Sequence, residues 1–322
     1  MRPVAALLLV AGLAGESTQD TPKEPRPRAA TAPPVTALAF SPDGREVLVG
    51  SQRGIEVRSW PGLEPRRRLE TELRHVHDLR FSPDGERVAA GGGKPAEEGA
   101  VEVFGWPDGR RLYRRVPHED LVYGVAWSPD SKRWACASYD RTAGIHDARD
   151  GRRIHEIRGH SRAVLAVCFT ADGRFLVTAG VDRSLRLWNA ESAERRRVLE
   201  NHTLTVNDLS SRPRERPDAL PMIASVSHDR TLRLWQPTIG RLVRFVRFES
   251  RALAVEWSAD GRRAIVACAD GHVRSIDPET VEVVEDLAAL DGWAHSLAAA
   301  PRGREVVVGG DAGQLKRLEL RR

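Results

Sequence analysis

His202, Ser225 and Asp229 are the side-chain types that, brought together, supply a general base, a nucleophile and an orienting carboxylate. A hydrolase uses them in those roles. A second set, His160, Thr178 and Asp182, stands at matching places 42 to 47 residues earlier. Six residues after the Asp of each set comes a tryptophan, Trp188 and Trp235, inside the near-identical phrases AGVDRSLRLWNA and SVSHDRTLRLWQP. One chain has little use for two nucleophile triads, whereas a repeated structural unit carries its bracing residues in every well-formed copy. The duplication favours bracing over catalysis.

Other residues with chemical potential read in the same way. HVHD (His75 to Asp78) places two histidines at i and i+2, which on a strand point to one side. No third ligand lies near them in sequence, so no metal is expected there. Cys136, Cys168 and Cys268 each sit in an apolar strand-like stretch (WACAS, AVCF, VACA) and read as small core residues, with at least one necessarily unpaired. The 50 basic and 45 acidic residues are spread along the whole length, so the net charge of +5 describes a salted surface and not a nucleic-acid stripe.

The elements that must position these residues are set by repetition. FSPDG occurs at Phe40 to Gly44 and Phe81 to Gly85, with variants WSPDS, FTADG and WSADG at Trp127, Phe169 and Trp257. Pro presets φ, Asp closes the turn and Gly accepts positive φ, so each phrase predicts a tight turn. An alternating strand precedes each turn and an apolar strand follows it, with weaker copies at Val206 and Ala294. The central Leu or Val of the first strand falls at 38, 79, 125, 167, 209, 255 and 297, a spacing of 41 to 46 residues. Four short strands per unit and no helical period anywhere predict an all-β fold: a seven-bladed β-propeller of four-stranded antiparallel blades.

With these phrases in view, residues 35 to 322 resemble the WD-repeat family. The resemblance implies that His160, Thr178, Asp182 and Trp188, and likewise His202, Ser225, Asp229 and Trp235, form buried hydrogen-bond chains running from Trp through the hydroxyl to His and Asp. It also implies a ring closed by an N-terminal strand, here near Arg28 to Ala32, because the last unit supplies only three strands before Arg322. In the third unit Cys136 and His146 replace the hydroxyl and the Trp, and in the sixth Ile276 replaces the Trp, so those blades are expected to rely on apolar packing. By the family pattern a protein or peptide partner would meet His77, Tyr123, Tyr139, Asn207, His228 and His295 at the channel mouth on the narrow face, with Trp293 beside them. Rings with a polar tip suit such a contact.

The first seventeen residues, MRPVAALLLVAGLAGES, follow the charged, apolar and small-residue order of a secretory signal, with an apolar run from Val4 to Leu13 that is too short to span a bilayer. The expected organisation is a signal over 1–15, a Pro-rich linker with the possible closing strand over 16–34, and the propeller over 35–322. The function expected is that of an exported, periplasmic or secreted, non-enzymatic scaffold, a monomer within a larger complex. No cofactor, nucleic-acid contact or membrane span after cleavage is expected. The alternatives are an envelope propeller with a small-ligand, polymer or hydrolytic site at its mouth, or a cytoplasmic platform if the signal is not used.

Overall fold

A computed structural model describes residues 32–213 and 219–321. It is all-β: seven antiparallel sheets follow one another along the chain, each built as a meander in which consecutive strands pair. Six sheets have four strands, and the seventh has three among the described residues, Ala294–Ala299, Glu305–Gly310 and Leu315–Glu319. The sheets are the seven blades of a propeller. The expected closing strand at Arg28 to Ala32 lies outside the described residues except for Ala32, as do the signal and most of the linker.

The core is divided as the architecture requires. Seven apolar clusters fill the seven gaps between neighbouring blades; the one between blades seven and one joins Val35, Leu38, Phe40, Val47, Val49, Ala298, Ala300 and Val307. Each blade buries one face against the blade before it and the other against the blade after it, so its middle strands read as apolar runs and not as alternating patterns. At the ring seam the Val35 N–H donates to the Gly310 carbonyl at 3.0 Å, Ser296 Oγ donates to the Val35 carbonyl at 3.0 Å, and Trp60 Nε1 donates to Glu305 Oε2 at 3.0 Å.

The recurring turn is held by its serine as well as by the Pro, Asp and Gly that mark it in the sequence. In blade one Ser41 Oγ donates to Asp43 Oδ1 at 2.7 Å and accepts from the Glu46 N–H at 2.9 Å, while Gly44 takes φ +72°. The same bonds recur at Ser82 with Asp84, Ser128 with Asp130, Thr170 with Asp172 and Ser258 with Asp260.

The outer strands carry latches between blades. Arg67 donates to the Pro107 carbonyl at 2.8 Å and Arg197 to the Thr238 carbonyl at 3.1 Å, each reaching from an arginine run to the next blade's outer hairpin. Two inner junctions are locked more deeply. Asp78 Oδ2 accepts the N–H of Val125 at 2.9 Å and Asp208 Oδ2 that of Val255 at 2.9 Å, a separation of 47 residues in both cases. Trp127 Nε1 donates to the Arg80 carbonyl at 2.9 Å and Trp257 Nε1 to the Ser210 carbonyl at 3.1 Å. Trp257→Phe removes one buried bond and keeps most of the packing, so the expected loss is about 1 kcal/mol, read as a shift of the urea midpoint with an unchanged slope. A variant as stable as the parent would show that this lock contributes nothing.

Candidate partner site at the channel mouth

The two triad-like sets are buried brackets. In blade five His202 Nδ1 lies 2.8 Å from Asp229 Oδ2 and its Nε2 2.8 Å from Ser225 Oγ, which also accepts the Trp235 indole N–H at 2.8 Å. In blade four His160 lies 2.9 Å from Asp182 and 2.7 Å from Thr178 Oγ1, with Trp188 donating to that hydroxyl at 2.9 Å. Ser225 and Thr178 have no exposed surface, so neither hydroxyl can meet a substrate. Burial opposes ionisation of Asp229, yet bonds from His202 and Thr231 outweigh it and hold the carboxyl below its usual range; burial pushes the His202 imidazole down.

Blades three and six depart from the expectation of apolar packing. In blade three the chain of bonds is rebuilt with other atoms: His118 Nδ1 to Asp140 at 3.0 Å, His118 Nε2 to Cys136 Sγ at 3.1 Å, and Cys136 Sγ to His146 Nε2 at 3.7 Å. Trp134 stacks on His146 with ring centroids 3.9 Å apart. In blade six Arg274 takes over the histidine's task, donating to Asp270 Oδ2 at 2.7 Å and to Asp286 Oδ2 at 3.0 Å. Replacing both the donor and the acceptor of a bond leaves a bond, which a search for the original letters misses.

These brackets stand next to the loops that carry several of the expected mouth residues. The His77 and Tyr123 rings stack at 4.2 Å, His75 stacks on His77 at 6.2 Å, and Tyr139 leans on Tyr123 at 5.7 Å. Tyr139 is 49% exposed and directly precedes the bracket aspartate Asp140, so the bracket fixes where its ring stands. His77 Nε2 is buried without a hydrogen-bond partner, and burial brings its imidazole down to about 4, so the ring is neutral at pH 7. Three of the six expected mouth residues thus form one aromatic ledge. The other three stand on blades five and seven: Asn207 Nδ2 donates to the Ala252 carbonyl at 2.7 Å, the His228 N–H donates to the Thr205 carbonyl at 2.9 Å, and His295 Nε2 lies 2.7 Å from Asp311. Trp293 packs 5.7 Å from His295.

On the first strands a charged group joins opposite sides of the ring. Arg80 of blade two pairs with Glu256 of blade six and lies 3.3 Å from Asp78, while Ser210 Oγ donates to Glu256 Oε2 at 3.1 Å. The neighbouring first-strand positions are small: Ala39, Ala126 and Ala298. Burial pushes Asp208 up to about 7, against the pull of Arg80. The sequence carries no signal that Arg80 and Glu256, 176 positions apart, would meet. Among the described residues no group of three or more His, Cys, Asp and Glu side chains is arranged to hold a metal ion.

The family described as WD domain, G-beta repeat matches residues 28–55, 109–147, 151–189 and 193–236. The chain belongs to the WD-repeat family. Similar proteins include WD repeat-containing protein 1 of Gallus gallus, 34% identical over 82 residues, which are 24% of this chain and 13% of that protein. Coronin-7 of Rattus norvegicus is 33% identical over 84 residues, 26% of this chain and 9% of its own length. WD repeat-containing protein VIP3 of Arabidopsis thaliana is 30% identical over 89 residues, 24% of this chain and 28% of its own. The match therefore spans well under a third of each relative. Within this WD-repeat chain the matched stretches hold the brackets of blades three, four and five, the copies richest in the family's letters.

Proposed function

We propose that this WD-repeat propeller is a non-enzymatic platform that binds a protein or peptide partner at the channel mouth. The observation that carries the reading is the ledge of His75, His77, Tyr123 and Tyr139, with a half-exposed phenol at its edge and an unpartnered imidazole nitrogen within it. Rigid rings with polar tips lose little conformational entropy on binding, and the half-exposed Tyr139 ring is open to a partner. A small-ligand or hydrolytic reading needs free acids in the channel. Asp78 and Asp208 already accept backbone N–H groups and Glu256 is committed to Arg80 and Ser210, so their chemistry is spent on the ring itself.

The test compares the chain lacking residues 1–15 with its Tyr123→Ala, Tyr139→Ala, His228→Ala triple variant in pull-downs from native extract, after equal melting and strand spectra establish that both are folded. A protein retained by the parent, lost by the variant, and then bound by the purified parent at least about tenfold more tightly supports the platform. Equal retention by both places binding elsewhere. Export through residues 1–15 is part of the same proposal. Fusing residues 1–20 to a reporter that is active only outside the cytoplasm checks it, and a silent fusion assigns the platform to the cytoplasm.

A further inference from the structure

The fold gathers charge that is spread along the sequence. The outer strands of blades one to five are Pro65–Leu69, Arg111–His118, Arg153–Arg158, Arg195–Leu199 and Arg241–Arg247. They hold fourteen of the 50 basic residues, all of them arginine, and one of the 45 acidic ones, Glu156. The remainder of the chain is therefore net acidic, with thirty-six basic residues against forty-four acidic. Charge on an exposed edge strand deters pairing with another sheet, but either sign serves that end. Blade six meets it with Glu285 and Asp286 on Val283–Ala288. Edge protection does not explain one sign on five edges.

Blades one to three pair most of their outer arginines within the chain: Arg67 lies 3.4 Å from Glu46, Arg111 3.1 Å from Glu102 and Arg158 2.6 Å from Glu156. Blades four and five do not. Arg196 lies 3.1 Å from Glu194, but among the described residues no carboxylate stands within ion-pair distance of Arg195, Arg197, Arg241, Arg244 or Arg247. The two strands adjoin, since Leu199 and Leu242 share one apolar cluster and the Arg197 bond to the Thr238 carbonyl spans the junction. Among the arginines, large apolar side chains are left open: Val198 is 37% exposed, Ile239 48% and Phe245 55%. Six like charges on one edge repel one another, so folding gains nothing from this arrangement.

We propose that the outer edge of blades four and five docks the protein on an anionic lipid surface. The arginines are drawn to the lipid phosphates, while Phe245, Ile239 and Val198 enter the boundary between headgroups and acyl chains. A soluble polyanion takes the same charges but leaves those apolar groups in water. A nucleic-acid strand needs a series of rings for its bases, and of this edge's strands only Arg241–Arg247 carries one, Phe245. The edge is apart from the aromatic ledge on blades two and three, so the mouth stays open to a partner while the edge lies on the membrane. The proposal depends neither on residues 1–15 nor on what the mouth binds.

The test uses the chain without residues 1–15, which keeps every described blade and removes the apolar run Val4 to Leu13 as a second route to lipid. Co-sedimentation is measured with vesicles of phosphatidylcholine alone and with about one third phosphatidylglycerol, at low and high salt. Binding is expected with the anionic vesicles only and is weakened by salt. It falls at least about thirtyfold in the Arg241→Gln, Arg244→Gln, Arg247→Gln triple variant and about fivefold in Phe245→Ser, all with the parent's melting. A control triple variant, Arg45→Gln, Arg149→Gln, Arg262→Gln, removes the same charge from exposed turns of three other blades and stays within about threefold of the parent. No preference for anionic vesicles, an unchanged Phe245→Ser, or a control that falls as far as the edge variant overturns the proposal. Tighter, edge-dependent binding to heparin or to a single-stranded oligonucleotide overturns it too and assigns the edge to a soluble polyanion.

Discussion

Asp229→Ala is expected to lower the stability of the propeller by about 3 kcal/mol at pH 7. Its carboxylate collects four donors: the His202 ring at 2.8 Å, the Thr203 N–H at 3.0 Å, the Thr231 N–H at 3.1 Å and the Thr231 hydroxyl at 2.6 Å. Alanine leaves all four without an acceptor, and His202 has no exposed side-chain surface through which water could replace it. The pH dependence has a definite sign. Asp229, like Asp182 and Asp140, is held below the ordinary carboxylate value, so its contribution is complete above about pH 4 and is lost as pH falls toward the folded-state value. The gap between parent and variant therefore narrows on acidification, because the parent gives up what the variant lacks. Urea midpoints at pH 7 and pH 3 measure this. A variant within about 0.5 kcal/mol of the parent at pH 7 would remove the bracket from any account of stability.

The difference between blade five and blade three shows what was legible in the sequence. Residues 179–190 and 225–237 repeat because indole, hydroxyl, imidazole and carboxylate must meet at fixed offsets, and that meeting lies within one repeat unit. The serine-centred turns and the period of the first strands are local in the same sense, so blade number and strand order could be read from the letters. Blade three keeps the meeting but changes two of its four residues together, and Cys136 with His146 looks like decay when it is replacement. In blade six an arginine two positions before Ile276 does the work expected of a histidine from the preceding strand. Pattern reading finds residue types, whereas the fold conserves donors and acceptors.

Contacts that exist only after the ring closes were not legible. Arg80 and Glu256 lie on blades two and six, and no spacing rule links them. Asp78 and Asp208 did leave a trace, since each stands 47 positions before the valine whose N–H it accepts and 49 before the tryptophan that completes the junction. With only two copies, that trace is visible once the junction is known. The expected mouth residues came from the family pattern laid on the strand register. Register says that His77, Tyr123 and Tyr139 share a rim, but not that their rings stack while Asn207 and His295 are bound to their own chain.

The charged group on the first strands gives the second large effect. Arg80→Met is expected to cost about 2–4 kcal/mol at pH 8, and Glu256→Gln less, though each breaks the same ion pair. The reason is the count of charges. Asp78, Asp208 and Glu256 act together on the one guanidinium, so losing Arg80 leaves three carboxylates unopposed, whereas losing the Glu256 charge leaves two facing one cation. Acidity separates the variants further. Burial already brings Asp208 up to about 7, so in the parent it favours the folded state below about pH 4 and loses that contribution as pH rises through 7. Without Arg80 the carboxyl is pushed higher still, and stability falls more steeply between pH 5 and pH 8 than in the parent. Thermal or urea midpoints for the three proteins across that interval carry the test. If Glu256→Gln is the less stable variant at pH 8, the first-strand cluster is braced by the pair's geometry and not by its charge balance, and the steeper slope should be missing as well.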